Sequence, residues 1–287
     1  MSLYNISIPA PQSWPNCGKA VFDYVNGFVS LLRGGLADNL VGVYLHGSLA
    51  MGSYFPPKSD MDFIIVVVDK IGAYTAESLN ISIARYAEAR PTAGSIECSV
   101  ITLDTAKNAP SPTPYELHYS DSWHRRILDR AVAYGAEQYD PDLPAHLMCV
   151  KKRGVCLYGM DISATFGDVG WRRFVEAVLY DFDEIVDGDN IIESPYYSIL
   201  NICRVMQIFG ENNEKYLSKY EGAMWGAAHM PHEYKPLILK ALEVYASNND
   251  IGAADMKTGG VEWDRPALLV FRDYAKNRVL TAMGKWI

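Results

Sequence analysis

Short apolar runs rich in Val and Ile alternate with helical patterns through the first half of the chain. Residues 41–46 and 61–69 have the composition of buried strands, and residues 95–103 alternate as a half-buried strand does. Apolar residues at helical spacing predict helices over residues 17–32, 75–89 and 115–134, the first of them ended by the glycine pair 34–35. This half therefore predicts a sheet flanked by helices.

Strand-like runs disappear after about residue 159, and helical patterns take over. They predict helices over residues 171–186 and 264–286, and a helix that begins at Ser194-Pro195. Ser218 and Glu221 have the spacing of a capping box. The predicted fold class is α+β, with a catalytic domain over residues 1–157 (mixed sheet and flanking helices) and an all-α helical bundle over residues 158–287.

Composition and charge narrow the range of functions. The 287 residues are 49% hydrophobic and carry a net charge of −8, which disfavours a nucleic-acid partner and suits a cationic small molecule. No apolar run reaches the length of a membrane helix, and the first residues lack the pattern of a secretory signal. The five cysteines show no CxxC spacing, as expected of reduced thiols. We therefore expect a cytoplasmic protein that does not bind a membrane.

The segment from Val41 to Asp69 contains the residues with the clearest chemistry. Gly47-Ser48 follows the first apolar run, and Asp60 and Asp62 open the second. Two carboxylates at i and i+2 on a strand lie on one face, about 6.6 Å apart, where they can bind Mg²⁺. Gly47 would let the backbone approach a phosphate, and Ser48 and Ser59 would donate hydrogen bonds to its oxygens. The alternative is a turn after residues 56–57, which would explain Asp60 and leave Asp62 unexplained.

Glu97 is the candidate for a third carboxylate. It lies in the middle of the strand SIECSVITL, where a charged side chain needs a partner if the strand is buried. Beside Asp60 and Asp62 it could bind the same metal and accept the proton of an attacking hydroxyl. An edge strand with Glu97 in solvent is the alternative.

These residues resemble the signature of the polymerase-β-like nucleotidyltransferase superfamily, which has Gly-Ser, then Asp-x-Asp, then a strand with a carboxylate. Residues 194–231 resemble the helical domain of bacterial aminoglycoside adenylyltransferases of the streptomycin/spectinomycin type: an Arg within a helix, then Ser-Lys, a Trp-Gly pair and Met-Pro. The resemblance covers about residues 40–250. It implies that Arg204 and Lys219 bind the phosphates of ATP and that Tyr245 packs on the adenine.

Residue chemistry agrees with that implication at Lys219, which is expected in the first turn of its helix. A cation is disfavoured at that end by several tenths of a kcal/mol, and a bound polyphosphate would reverse the penalty. A surface position for Arg204 and a core position for Tyr245 are the alternatives.

Acidic residues from Asp181 to Glu193 would bind a polycationic acceptor, or would only form a solvated face. In dual-specificity members of the resembled family, an acid and a histidine precede the helix arginine by ten and seven residues. Those positions are Ser194 and Tyr197 here, and Trp123 is one residue out of register with a tryptophan used for streptomycin. The resemblance therefore favours spectinomycin over streptomycin.

The sequence thus predicts a monomeric, Mg²⁺-dependent enzyme that transfers AMP from ATP to a hydroxyl of an aminoglycoside or aminocyclitol and releases pyrophosphate. Two alternatives stay open. One is the same chemistry on another small-molecule or protein acceptor, and the other is a nucleotide-binding regulatory module without turnover.

Overall fold

The computed structural model describes residues 8–56, 58–211, 216–247 and 257–283. Contacts divide the chain into two compact units, one of residues 12–177 and one of residues 178–287 together with 1–11. This division falls inside a helix, Trp171–Val186, and thus later than the domain boundary predicted after residue 157. The functional boundary stays a prediction.

The first unit is built on a mixed sheet of five strands with the order β5-β3-β2-β1-β7. Strands β2 and β3 are parallel, and the other pairs are antiparallel. Two further strands, β4 and β6, form a separate pair. The strands are β1 Leu40–His46, β2 Met61–Val67, β3 Ile96–Thr102, β4 Pro114–Tyr115, β5 Leu117–Tyr119, β6 Gln138–Tyr139 and β7 Val155–Gly159.

Helices flank this sheet. They are α1 Lys19–Leu36, α2 Gly47–Ala50, α3 Ala73–Ala87, α4 Leu103–Asn108, α5 Asp121–Leu128, α6 Leu143–Arg153, α7 Ile162–Thr165 and α8 Trp171–Val186, the last of which continues into the second unit.

The two faces of the sheet differ in chemistry because successive side chains on a strand point to opposite sides. Leu45, Phe63 and Cys98 lie on the face that forms the main core with α1 and α3. The Phe28 ring of α1, for example, lies 4.8 Å from that of Phe63. The other face carries buried apolar residues such as Ile64 and Val66, and polar residues at the strand ends, among them His46, Asp62 and Glu97.

One predicted element of this unit is wrong, and a second is present with a different end. The helix predicted over residues 115–134 is strand β5 followed by the short helix α5. Leu117 and Tyr119 are buried with His118 between them, the period of a strand, but three residues are too few for periodicity to reveal. Helix α1 also runs through the glycine pair to Leu36, because Gly35 packs where a Cβ would lie only 2.9 Å from Leu79 of α3.

The second unit is helical, so the predicted α+β fold class is confirmed. Its helices after α8 are α9 Asn190–Glu193, α10 Pro195–Glu211, α11 Lys219–His229, α12 Lys235–Ala246 and α13 Arg265–Met283. The predicted capping box is present, with Ser218 accepting from the Glu221 N–H and the Glu221 carboxylate accepting from the Ser218 N–H. The last predicted helix extends to residue 286, and residues 284–287 lie outside the described part of the chain.

None of the helices in the described ranges combines the length and the apolar character that spanning a membrane requires.

Candidate active site

The predicted carboxylates meet at one end of the sheet. Asp62 and Glu97 are the second residues of the parallel strands β2 and β3, and they are direct Cα partners. Both side chains lie on the face opposite the main core, with their strands about 4.8 Å apart. Asp60 lies just before β2, where its Oδ1 accepts the Ser95 N–H at 2.7 Å. The structure therefore brings all three residues to the start of two adjacent strands.

Gly47 packs directly on this carboxylate group. Its φ of +63° belongs to the left-handed region, and a Cβ at this position would overlap Oδ2 and Cγ of Asp62. Only a glycine satisfies both conditions without displacement. The residue predicted to let a phosphate approach the backbone thus also determines where Asp62 can lie.

The two serines of the predicted phosphate site differ. The Ser48 Oγ is buried and makes no hydrogen bond with any residue of the described ranges. A phosphate oxygen would satisfy it, so the residues present fit a nucleotide. Ser59 is 3% exposed, and its Oγ accepts the Phe55 N–H at 3.0 Å, which closes the turn before β2. Ser59 therefore has a structural role, and its contact with a phosphate stays a prediction.

His46 is a site residue that the sequence analysis missed. It ends β1 as the Cα partner of Asp62, and its ring centroid lies 5.1 Å from that of His146 in α6. Burial, aided by the nearby His146, holds the pKa of His46 well below its ordinary value. The His46 imidazole is therefore neutral at pH 7 and lies beside Asp62. The sequence did contain a signal for His46, because it is a polar residue at the end of an apolar strand and directly precedes Gly47-Ser48.

His118 is a second missed residue, hidden by the wrong helix prediction. It lies opposite Ser99 in the β3–β5 ladder, and its Nδ1 is 3.0 Å from the Ser99 Oγ. Burial lowers the pKa of His118, while the negative charges of Glu97 and Asp140 oppose the shift. The β3–β5 ladder places His118 diagonally across from the predicted base, Glu97.

The carboxylates at this end of the sheet are the candidate ligands of a metal ion. Across the described residues, no group of three or more His, Cys, Asp or Glu side chains is arranged to hold a metal ion. Magnesium is usually bound by one or two carboxylates, with water and substrate phosphates completing the shell. Asp60 and Asp62 fit that mode, in which the ion arrives with the nucleotide. The participation of Glu97 as a ligand stays a prediction.

In the second unit, Arg204 is held in place and is not a loose surface residue. Its Nε donates to the Leu217 carbonyl at 2.8 Å, and Nη1 donates to Asn201 Oδ1 at 2.7 Å. The guanidinium lies 4.7 Å from the centroid of the Tyr216 ring. Gly222 of α11 packs closely, because a Cβ there would lie 2.7 Å from the Arg204 Cγ. These contacts set the position from which Arg204 could reach an anion.

Lys219 and Tyr245 lie together in the same unit. Lys219 is the first residue of α11, as expected, and its Nζ lies 4.8 Å from the Tyr197 ring and 5.7 Å from the Tyr245 ring. Tyr245 is only 2% exposed and stacks loosely on Tyr196, with centroids 6.4 Å apart. Tyr245 thus lies in the core, which was the alternative to a contact with the nucleotide. Its contact with adenine stays a prediction.

A pocket of about 210 Å³ lies within the second unit. Three carboxylates of the predicted acidic segment line it, together with Ser194, Tyr197 and the cation Lys257. The carboxylates are Asp181, Glu184 and Glu193. Asp189 of the same segment instead pairs with Arg265 at 2.7 Å. Part of the acidic segment therefore surrounds a cavity, and part is a solvated ion pair.

Comparison with known proteins agrees with this architecture. Residues 164–262 match the family model of the aminoglycoside adenylyltransferase C-terminal domain. The chain is 24% identical over 265 residues to a spectinomycin 9-adenylyltransferase of Enterococcus faecalis, covering 90% of this chain and 96% of that protein. The chain is therefore similar to aminoglycoside adenylyltransferases over most of its length.

Further relatives extend the likeness. The aminoglycoside adenylyltransferase relative of Klebsiella pneumoniae named for the 3'' and 9 positions is 24% identical over 233 residues, which cover 77% of this chain and 84% of that protein. A crystal structure of an enterococcal spectinomycin adenyltransferase with ATP and spectinomycin superposes with a TM-score of 0.74 at 22% identity, covering 91% of this chain and 99% of that one. At this identity the superposition establishes the fold.

Proposed function

We propose that this protein is an adenylyltransferase, which transfers AMP from ATP to a hydroxyl of an aminocyclitol antibiotic and releases pyrophosphate, with spectinomycin as the favoured acceptor. The observation that carries the proposal is the pairing of Asp62 with Glu97 on adjacent parallel strands, with Gly47 packed on the Asp62 carboxylate. Two carboxylates side by side at the start of otherwise apolar strands suit chemistry on a phosphate better than they suit packing.

Each residue has a distinct part in the proposed reaction. Glu97 accepts the proton of the acceptor hydroxyl, which then attacks the α-phosphate. The Ser48 hydroxyl donates to a phosphate oxygen, and Arg204 and Lys219 neutralise the leaving pyrophosphate. Asp60, Asp62 and Glu97 are the residues that would hold Mg²⁺, whose charge would stabilise the negative charge on the phosphates.

The choice of acceptor rests on the pocket of the second unit and on the relatives. Three carboxylates and one lysine give this pocket a net negative charge, which favours a cationic ligand. Ser194 and Tyr197 line it, and the family resemblance implies an acid and a histidine at these two positions in dual-specificity members. Two relatives are named spectinomycin 9-adenylyltransferases, and one solved relative holds ATP and spectinomycin. These facts support spectinomycin over streptomycin.

The test measures pyrophosphate release from Mg²⁺ and ATP with spectinomycin, streptomycin or neither, and the mass of the product. We expect release and one added AMP with spectinomycin. Glu97→Gln should lower turnover by roughly 10²–10⁴-fold, the contribution of a general base, while ATP still binds. Glu77→Gln, which changes an acid of α3 paired with Arg130, is the matched control and should keep full activity.

The alternatives predict other results. ATP binding without release across the panel would favour a different acceptor or a regulatory module. Normal turnover with weakened ATP binding in Glu97→Gln would refute its role as the base.

A further inference from the structure

His118 lies on the same face of the sheet as Glu97, one strand away. Ser99 and His118 are Cα partners in the antiparallel β3–β5 ladder, and Glu97 is two residues before Ser99. Residues i and i+2 share a face, so Glu97 and His118 are diagonal neighbours about 7–8 Å apart. Their side chains can therefore converge on neighbouring groups of one ligand.

The imidazole is held in one orientation. Its Nδ1 is hydrogen-bonded to the Ser99 Oγ at 3.0 Å, and its ring meets the Trp123 ring edge-on with centroids 5.8 Å apart. The backbone is fixed as well, since the His118 carbonyl accepts a hydrogen bond from the fully buried Asn80 at 3.0 Å. This amount of support is typical of a side chain whose direction matters.

The second ring nitrogen has no such role in the fold. Within the described ranges, Nε2 of His118 makes no hydrogen bond, and the side chain is only partly buried. Burial lowers the pKa of His118 in spite of the opposing charges of Glu97 and Asp140. A neutral imidazole bound through Nδ1 offers one donor or one acceptor at Nε2, according to its tautomer.

We propose that His118 is a positioning residue, whose Nε2 hydrogen-bonds a hydroxyl or amino group of the acceptor next to the hydroxyl that Glu97 deprotonates. The inference rests on the proposed function and adds a specificity element to it. Acceptors with polar groups on adjacent ring carbons, such as aminocyclitols, can engage Glu97 and His118 together. An acceptor with one isolated hydroxyl would leave Nε2 unsatisfied.

Two conservative variants separate this role from a structural one. The amide of His118→Asn takes the place of Nδ1 and can keep the Ser99 bond, whereas that of His118→Gln takes the place of Nε2. Loss of one neutral hydrogen bond should lower kcat/KM for spectinomycin roughly tenfold in His118→Asn, and His118→Gln should restore most of it. The KM for ATP should stay unchanged in both. A structural role predicts the reverse order, with His118→Asn the more active.

Binding is followed separately by NMR of the imidazole Cε1–H, assigned to His118 by its disappearance in the Asn variant. We expect spectinomycin to shift this signal. If the wild type transfers AMP to spectinomycin, but His118→Gln does not restore kcat/KM or the imidazole signal does not shift, this inference alone is overturned. A shift without transfer supports the contact and overturns the proposed function. If neither transfer nor a shift occurs, both are overturned.

Discussion

Replacing Gly47 by alanine isolates the contact on which the proposed site is built. The backbone at Gly47 has φ +63°, and an alanine held there costs about 1–2 kcal/mol of folding free energy. The added Cβ also overlaps the Asp62 carboxylate, so Asp62 or the Gly47 backbone must move. A displacement of about 1 Å in a catalytic group can cost on the order of 10²-fold in rate. We therefore expect activity to fall about 100-fold or more, beyond any loss of stability.

Gly52→Ala is the matched control. Gly52 has φ +73°, but a Cβ there would meet only the Ser13 Cβ, at an ordinary 3.6 Å. By urea denaturation, Gly52→Ala should lose the free energy of unfolding expected for alanine in the left-handed region, and Gly47→Ala should lose at least as much because of the added overlap. Only Gly47→Ala should lose pyrophosphate release with spectinomycin and ATP. Equal activity of the two folded variants would show that the Gly47 contact does not determine the position of Asp62.

Three further outcomes are expected. Because the pKa of His46 is held well below its ordinary value in the folded state, only the unfolded chain binds this proton below about pH 6.5, and stability should fall as the pH drops. In His46→Phe, the free energy of unfolding should change less steeply with pH, by up to about 1.4 kcal/mol per pH unit. Urea titrations at pH 5–6.5 measure this dependence, and an unchanged pH dependence in the variant would contradict the assignment. Ser218→Ala removes the cap of α11 and should cost about 1 kcal/mol by denaturation, with no loss arguing against the capping box. The double variant Asp181→Asn, Glu184→Gln should raise the KM for spectinomycin and leave the KM for ATP unchanged in steady-state kinetics. Equal rises in both KM values would exclude the pocket as the acceptor site.

The residues of the proposed catalytic motif could be selected without coordinates because their signals are local. A Gly-Ser pair and Asp-x-Asp each adjoin an apolar run, and a lone glutamate in an alternating strand requires an explanation. The structure places Asp60, Asp62 and Glu97 together as those signals indicate. Helix α8 and the capping box of α11 were likewise readable from side-chain spacing and capping residues.

Short elements were lost for a physical reason. Strand β5 has three residues, and its hydrogen bonds to β3 come from a segment that lies nearly twenty residues away. Its β structure depends on that pairing, whereas the neighbouring residues favour a helix by composition. The helix prediction over this segment therefore also concealed His118 and its bond to Ser99.

Tyr245 shows a different limit. Its helix α12 was readable, but a tyrosine on a helix can face the core or a ligand with the same sequence pattern. The packing of α10, α11 and α12 buries the ring to 2% exposure and sets it near Lys219. Burial of this kind depends on which helix faces meet, which periodicity alone does not specify.

By itself, the sequence determined the residue types of the chemistry and the class of fold, because both follow from local spacing. The tertiary structure alone decided that Asp62 lies between His46 and Glu97, and that His118 lies one strand further along the same face. Adjacent members of this set are up to 35 residues apart in the chain, and strand register joins them. Register is set by long-range hydrogen bonding and by which sheet face is buried, so only the folded chain specifies it.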